Sequence, residues 1–342
     1  MGSTNRDILE AVIGHAVRLE SLKTYEVRAL VKILEKDVYP DLLLSLEKMV
    51  SKLGSASVHT KRFKEVVQGI RAIMKDGMRK AYQANKSAVE KIALSEAQWT
   101  VGVFKKTVPL KWNFTMPSPE VLRAIVTTKP FEGALMRDWY GSLAKKTADG
   151  IVRAVNVGLV RGESIPQITK RIREADLALT KRNAEAIART SINHVTNEAR
   201  LATMKENNDI VGKWQFVAVL DLRTTEECMA ADGKVYELGD GIQPPLHWSC
   251  RSQSVPVMKS MKELGFDLND FPPTTRAAMD GQVAEKVTYG DWLKRQSKED
   301  QILALGKGKA ELFRDGKVSV DRFVDRGGRG LSLTEIRKRE GL

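Results

Sequence analysis

The sequence predicts an α+β protein that is predominantly α-helical, and three observations carry that expectation. Apolar residues recur at helical spacing through most of the 342 residues. β character is confined to a short run, Trp214–Leu220. Between Trp214 and Gln253 lie both cysteines, Cys228 and Cys250, one of the four histidines, His247, and a crowd of turn residues. Such crowding predicts a small module organised by its side chains and positioned by the helices around it.

The first helix is expected over Thr4–Lys36, from Ile8, Val12, Ala16, Leu19, Leu22, Leu30, Ile33 and Leu34. Pro40 is expected to break it at Asp37–Pro40, because proline lacks the N–H and disfavours helical geometry before it. A second helix, Asp41–Leu53, is expected to stop at Gly54. From His59 to about Phe104 runs a long amphipathic stretch, apolar from Phe63 to Trp99 on one face and rich in Lys and Arg on the other. Val108–Pro119 reads as a linker, and Ser118-Pro119 as the cap and first position of the next helix. Helical patterning continues through Phe131–Leu159. Ser164 is expected to cap a helix Ile165–Ala175, and Thr180 to cap the one that carries Ala184 to Ala199. Beyond Ser254 the chain turns helical and turn-rich, with caps at Ser297 and Ser332. The expected segments are 1–107, a helical region; 108–119, a linker; 120–212, a helical domain; 213–258, the β-containing module; and 259–342, a helical, turn-rich arm.

Composition narrows the class. No uninterrupted apolar run reaches about 18 residues, so no membrane span is expected, and the first residues lack the basic-then-apolar pattern of a secretory signal. Two cysteines are too few for a secreted disulfide scaffold and suit a reducing compartment. The net charge of +13 is unevenly spread: +9 over residues 1–150, +1 over 151–258 and +3 over 259–342. That excess suits a polyanion or an acidic protein surface, or simply a solvated lysine-rich face. On the helix after Thr180, His194 gathers with Arg189, Asn193, Asn197 and Arg200; a solvent-facing surface is expected there, with a nucleic-acid or partner face as the alternative. His15 and His59 have no partner that the sequence names. A P-loop, a His-Glu metallohydrolase helix and a Gly-x-Ser-x-Gly elbow are all missing.

One ordered combination of residues is specific. Ile187-Ala-Arg-Thr190 is followed by Trp214, then Asp221-x-Arg223-Thr224, Cys228, Asp232-Gly233 and Pro244-Pro245-x-His247-x-x-Cys250-Arg251. The pattern resembles the phage head-morphogenesis (minor head protein) family typified by the F protein of phage Mu, and tail motifs such as Thr288-Tyr-Gly-Asp-Trp292 resemble it too. The resemblance implies a virion component of the capsid interior or portal vertex, assembled in the host cytoplasm. It would work with the portal and other head proteins in genome packaging or ejection. Double-stranded DNA, bound non-specifically, is a further expected partner. The sequence departs from the family where many relatives carry cysteine: Thr225 and Ser252 stand there, and Trp248 stands where proline is common.

Two chemical readings of the module stay open. In the first, Cys228, His247 and Cys250 hold zinc, with Asp221 or Asp232 or water as fourth ligand. In the second, favoured here, there is no cofactor: Asp221 pairs with Arg223 or Arg251, His247 packs on Trp214 or Trp248, and the thiols are small buried groups. The expected function is structural, without catalysis. A metal-dependent hydrolase or nuclease using Asp221, Cys228, His247 and Cys250 is the rival, and a generic basic nucleic-acid-binding adaptor the plainer alternative.

Overall fold

The computed structural model describes residues 4–51, 61–108, 111–260, 262–264, 275–284 and 286–342. The stop at Gly54, the isolated His59 and the linker's Pro109–Leu110 lie outside the described residues. Helices dominate, as the apolar periodicity predicts. They are α1 (Thr4–Ile33), α2 (Tyr39–Ser51), α3 (Lys61–Thr107), α4 (Pro119–Thr128), α5 (Met136–Val160), α6 (Ile165–Ile172), α7 (Ala178–Glu206), α8 (Glu226–Ala231), α9 (Tyr289–Leu293), α10 (Lys298–Leu305), α11 (Lys307–Arg314) and α12 (Leu333–Glu340). Among the described residues, no helix is long and apolar enough to cross a membrane.

Two expected helix ends are not ends. At Pro40 the chain stays helical through a π turn, Leu34–Val38, in which the Tyr39 N–H reaches back five residues to the Leu34 carbonyl. A wide turn accommodates a residue that cannot donate, so proline here follows a bulge instead of terminating a helix. A second π turn, Arg173–Leu177, joins α6 directly to α7. Thr180 is therefore inside a helix, not at its cap: its buried hydroxyl bonds the Asp176 carbonyl and the Thr147 hydroxyl, each at 2.7 Å. The Ser164 cap does form, as a capping box with Gln167.

The chain divides into two compact units that are discontinuous in sequence. One contains 1–19, 94–118 and 196–342; the other contains 20–93 and 119–195. A consecutive segmentation cannot express this, since α1, α3 and α7 each contribute to both.

In the first unit, β1 (Val211–Val217) is the centre of an antiparallel sheet flanked by β2 (Val235–Glu237) and β3 (Gln253–Met258). Ile8, Val12, Phe104, Met204, Trp214, Phe216 and Val255 form its apolar core, together with both cysteines. A second core joins Leu220 and Met229 to Tyr289, Trp292, Phe313, Phe323 and Ile336. Residues 286–342 thus share a core with Leu220 and Met229 of the module. A hairpin beyond the expected strand, β4 (Thr275–Ala278) with β5 (Gly281–Ala284), bonds back through the Met279 N–H to the Leu220 carbonyl at 2.9 Å.

The polar face of α7 is not a surface. Asn193, Asn197 and Arg200 are fully buried and His194 nearly so. In the second unit Asn193 accepts from the buried Lys23 ammonium at 3.2 Å, and His194 lies against the Phe131 ring. In the first unit Asn197 accepts from the Ser254 backbone and hydroxyl at 2.7 and 2.9 Å.

Candidate functional site

The module is built on Trp214. This fully buried ring sits in β1 opposite Tyr236 and Pro256, stacks on Tyr236 at 4.9 Å and donates its indole N–H to the Asp240 carbonyl. After β1 the chain makes a corner. The Asp221 carboxylate accepts the Arg223 backbone N–H at 3.0 Å and the Thr224 hydroxyl at 3.2 Å, an aspartate-centred turn. It also accepts both terminal nitrogens of Arg251, at 2.6 and 2.8 Å, from 30 residues downstream. That bidentate pair pins the corner to the cysteine hairpin. Burial alone would push the Asp221 carboxyl up, but the Arg251 guanidinium and the local donors hold it below the usual carboxylate range. The Arg223 side chain itself is exposed, with its nearest guanidinium nitrogen 3.9 Å from Asp221.

Asp232 and Gly233 form the next turn. Gly233 has φ +80°, a conformation open to glycine, and a Cβ there would press on Thr288 at 3.3 Å. Its N–H bonds the Phe216 carbonyl. Asp232 is buried and receives the Ala218 and Tyr289 backbone N–H groups, each at 2.8 Å, and the Arg276 guanidinium at 2.9 and 3.0 Å.

The hairpin returns through Pro244-Pro245, joined by a cis peptide. Pro244 is buried, and His247 half-buried. This brings three potential ligands together: Cys228 at the start of α8, His247 and Cys250. The sulfurs are 3.7 Å apart, His247 Nε2 is 3.3 Å from the Cys228 sulfur, and all three ligand atoms lie within 4.8 Å of one another. The His247 Nδ1 meets the Trp248 carbonyl at 3.0 Å. A carbonyl only accepts, so Nδ1 carries the proton and Nε2 faces the sulfurs with its lone pair when the ring is neutral. The two cysteines share charge unequally. The hydrogen bond from Cys228, with the adjacent His247, pulls the Cys250 thiol down to about 3 against burial. The same bond together with burial pushes Cys228 well up. Burial would lower His247, but Cys250 outweighs it and the ring is shifted upward.

Neither carboxylate named from sequence joins this trio, because Asp221 serves Arg251 and Asp232 serves Arg276. Thr225, which stands where many relatives carry cysteine, adjoins the trio. Its hydroxyl is buried against the Cys228 sulfur. Arg276 was missed from sequence, and Tyr289 was named only within the tail motif, since nothing local marks a residue that completes a site from more than 40 positions away.

Residues 149–255 match the family described as Phage Mu protein F like protein. Over that segment the chain is similar to Phage Mu protein F. The Phage Mu F-like region runs from within α5 to within β3, and so takes in Trp214, the Asp221 corner, Asp232-Gly233 and the cysteine hairpin. The tail motifs lie beyond it. Among curated proteins, the Mu-like prophage FluMu F protein of Haemophilus influenzae is 38% identical over 74 residues, which is 20% of this chain and 18% of that protein. The similarity therefore spans less than a fifth of the relative's own length. No solved structure matches the chain.

Proposed function

We propose that this chain is a structural head protein of a tailed phage, acting in head morphogenesis as a minor component at the portal vertex and in genome packaging or ejection. One observation carries the reading: the Phage Mu F-like region coincides with a module whose ionised side chains are engaged in holding it together. Asp221, the acid that a hydrolase would need, is bound bidentately by Arg251 and by its own turn. That is the work of a scaffold. The test is assembly of heads from the phage's portal and major head proteins with and without this chain. The chain is expected to co-sediment with heads and to be captured by isolated portal. Normal, DNA-filled heads that neither contain nor need it would sink the proposal.

A specific surface supports a second role, non-specific binding of DNA. In the second unit Arg71, Lys75, Arg79, Arg137 and Lys145 line an open groove of about 410 Å³ together with Tyr82 and Tyr140. Asp149, Asp76 and Asp138 partly neutralise the three arginines, leaving the exposed Lys75 and Lys145 as the main free attraction. Retention on duplex DNA should fall steeply with salt. Lys75→Glu with Lys145→Glu should flatten that slope by about one for each phosphate no longer neutralised. Retention indifferent to both salt and the two substitutions would count against DNA as a partner.

A further inference from the structure

We infer that Cys228, His247 and Cys250 form a zinc site that ties α8 to the Pro-Pro-His hairpin. The inference goes beyond the head role and stands or falls without it. Distances make the first argument. Zinc–sulfur and zinc–nitrogen bonds of about 2.3 and 2.0–2.1 Å at tetrahedral angles place two sulfurs about 3.8 Å apart and sulfur and nitrogen about 3.6 Å apart. The observed separations are 3.7 and 3.3 Å. A disulfide would need about 2.05 Å.

The second argument is the histidine. A zinc-bound imidazole typically donates its other N–H to a carboxylate or backbone carbonyl, which fixes the tautomer and aims the ring. Here the Trp248 carbonyl, at 3.0 Å from Nδ1, does this for an Nε2 already pointed at sulfur. The third argument is the Thr225 hydroxyl. Buried against the Cys228 sulfur, it is placed to hold a metal-bound water at the fourth position. Both cysteines are 1% exposed, and the half-buried His247 gives the ion its approach from solvent. The site joins elements about 20 residues apart, which assigns the metal a structural role.

The test uses the isolated full chain, purified under reducing conditions and without chelators. Elemental analysis should find about one zinc per chain, the stoichiometry of a single site. Cobalt exchanged into the site should show the thiolate charge-transfer and visible bands of a tetrahedral sulfur-ligated ion. His247→Ala, at a half-exposed position that leaves the core intact, should weaken binding by on the order of tenfold or more. Thr225→Cys should slow loss of metal to a chelator, a gain that misfolding cannot imitate. A folded, reduced wild-type chain that takes up neither zinc nor cobalt overturns the inference. So does cobalt uptake with no thiolate band, or metal content unchanged in a folded Cys228→Ser, Cys250→Ser double variant. Because only the isolated chain is measured, failure here leaves the head role untouched, and failure of head assembly leaves the metal result standing.

Discussion

Asp232→Ala is expected to destabilise the unit that contains the module by about 3–5 kcal/mol, the usual cost of leaving one charge of a buried pair uncompensated. The Asp232 side chain is wholly inaccessible and that of Arg276 is 4% exposed. The carboxylate answers the Ala218 and Tyr289 backbone N–H groups as well as the guanidinium, so the substitution orphans donors on three segments at once. Arg276 has no spare capacity to relax: its Nε already lacks a partner, and its terminal nitrogens are committed to the Ala218 and Val287 carbonyls. Asp232→Asn keeps the acceptor oxygen and loses the charge, so it should fall between wild type and alanine. The measurement is the urea midpoint, with the exposed Asp315–Lys317 pair as control, since surface pairs contribute about 0–1 kcal/mol. Residues 275–289 should also gain amide exchange and protease sensitivity, because they lean on this carboxylate. An Asp232→Ala chain as stable as Asp315→Ala would mean the pair does not clamp the C-terminal segment to the module.

The same carboxylate shows what a sequence can and cannot disclose. Strand character at Trp214–Leu220 was legible from the β-branched and aromatic run, but β1 stops at Val217 because the Ala218 N–H is taken by Asp232. No local pattern announces that. The hairpin at 275–284 carries a weak signal, the Asp280-Gly281 turn, between alanine-rich flanks of low strand propensity. Pro40 obeyed its local chemistry and still failed to end a helix, since the π turn before it absorbs the missing donor. The meeting of the Asp221 corner with the Cys250-Arg251 hairpin was readable because turn formers fix where the chain folds back. The buried side of α7 had a legible sign that points the opposite way from a solvent face. Val195, Ala199, Leu201 and Met204 surround Asn197 and Arg200 with apolar residues, and a helix apolar on most sides is buried. What stayed hidden was the partner, because Glu96 is 104 residues upstream on α3.

That partner supports the second large effect. Arg200, with no exposed side-chain surface, donates through Nε to Glu96 at 2.8 Å and through Nη1 to the Ser254 carbonyl at 3.0 Å, and its guanidinium lies 5.4 Å from the Trp99 ring. The second Glu96 oxygen meets His15 Nε2 at 2.7 Å, and the His15 ring stacks on Trp99 at 3.8 Å. Glu96→Ala strands the guanidinium and should cost about 3–5 kcal/mol, whereas Glu96→Leu with Arg200→Met should recover most of the loss, since apolar residues of similar volume replace a buried pair at little cost. The pH dependence has a definite sign. Burial would raise the Glu96 carboxyl, but Arg200 and His15 outweigh it and the folded value lies below the ordinary 4.5. The unfolded chain then binds the proton more tightly, so the contribution is complete above about pH 4.5 and is lost as pH falls through the folded value. Denaturation of wild type and Glu96→Gln should therefore differ by a constant amount at neutral pH and converge in acid. A gap that widens on acidification would mean that burial, not Arg200, governs this carboxyl, and that the pair is a burden the fold carries instead of a tie that holds α3, α7 and β3 together.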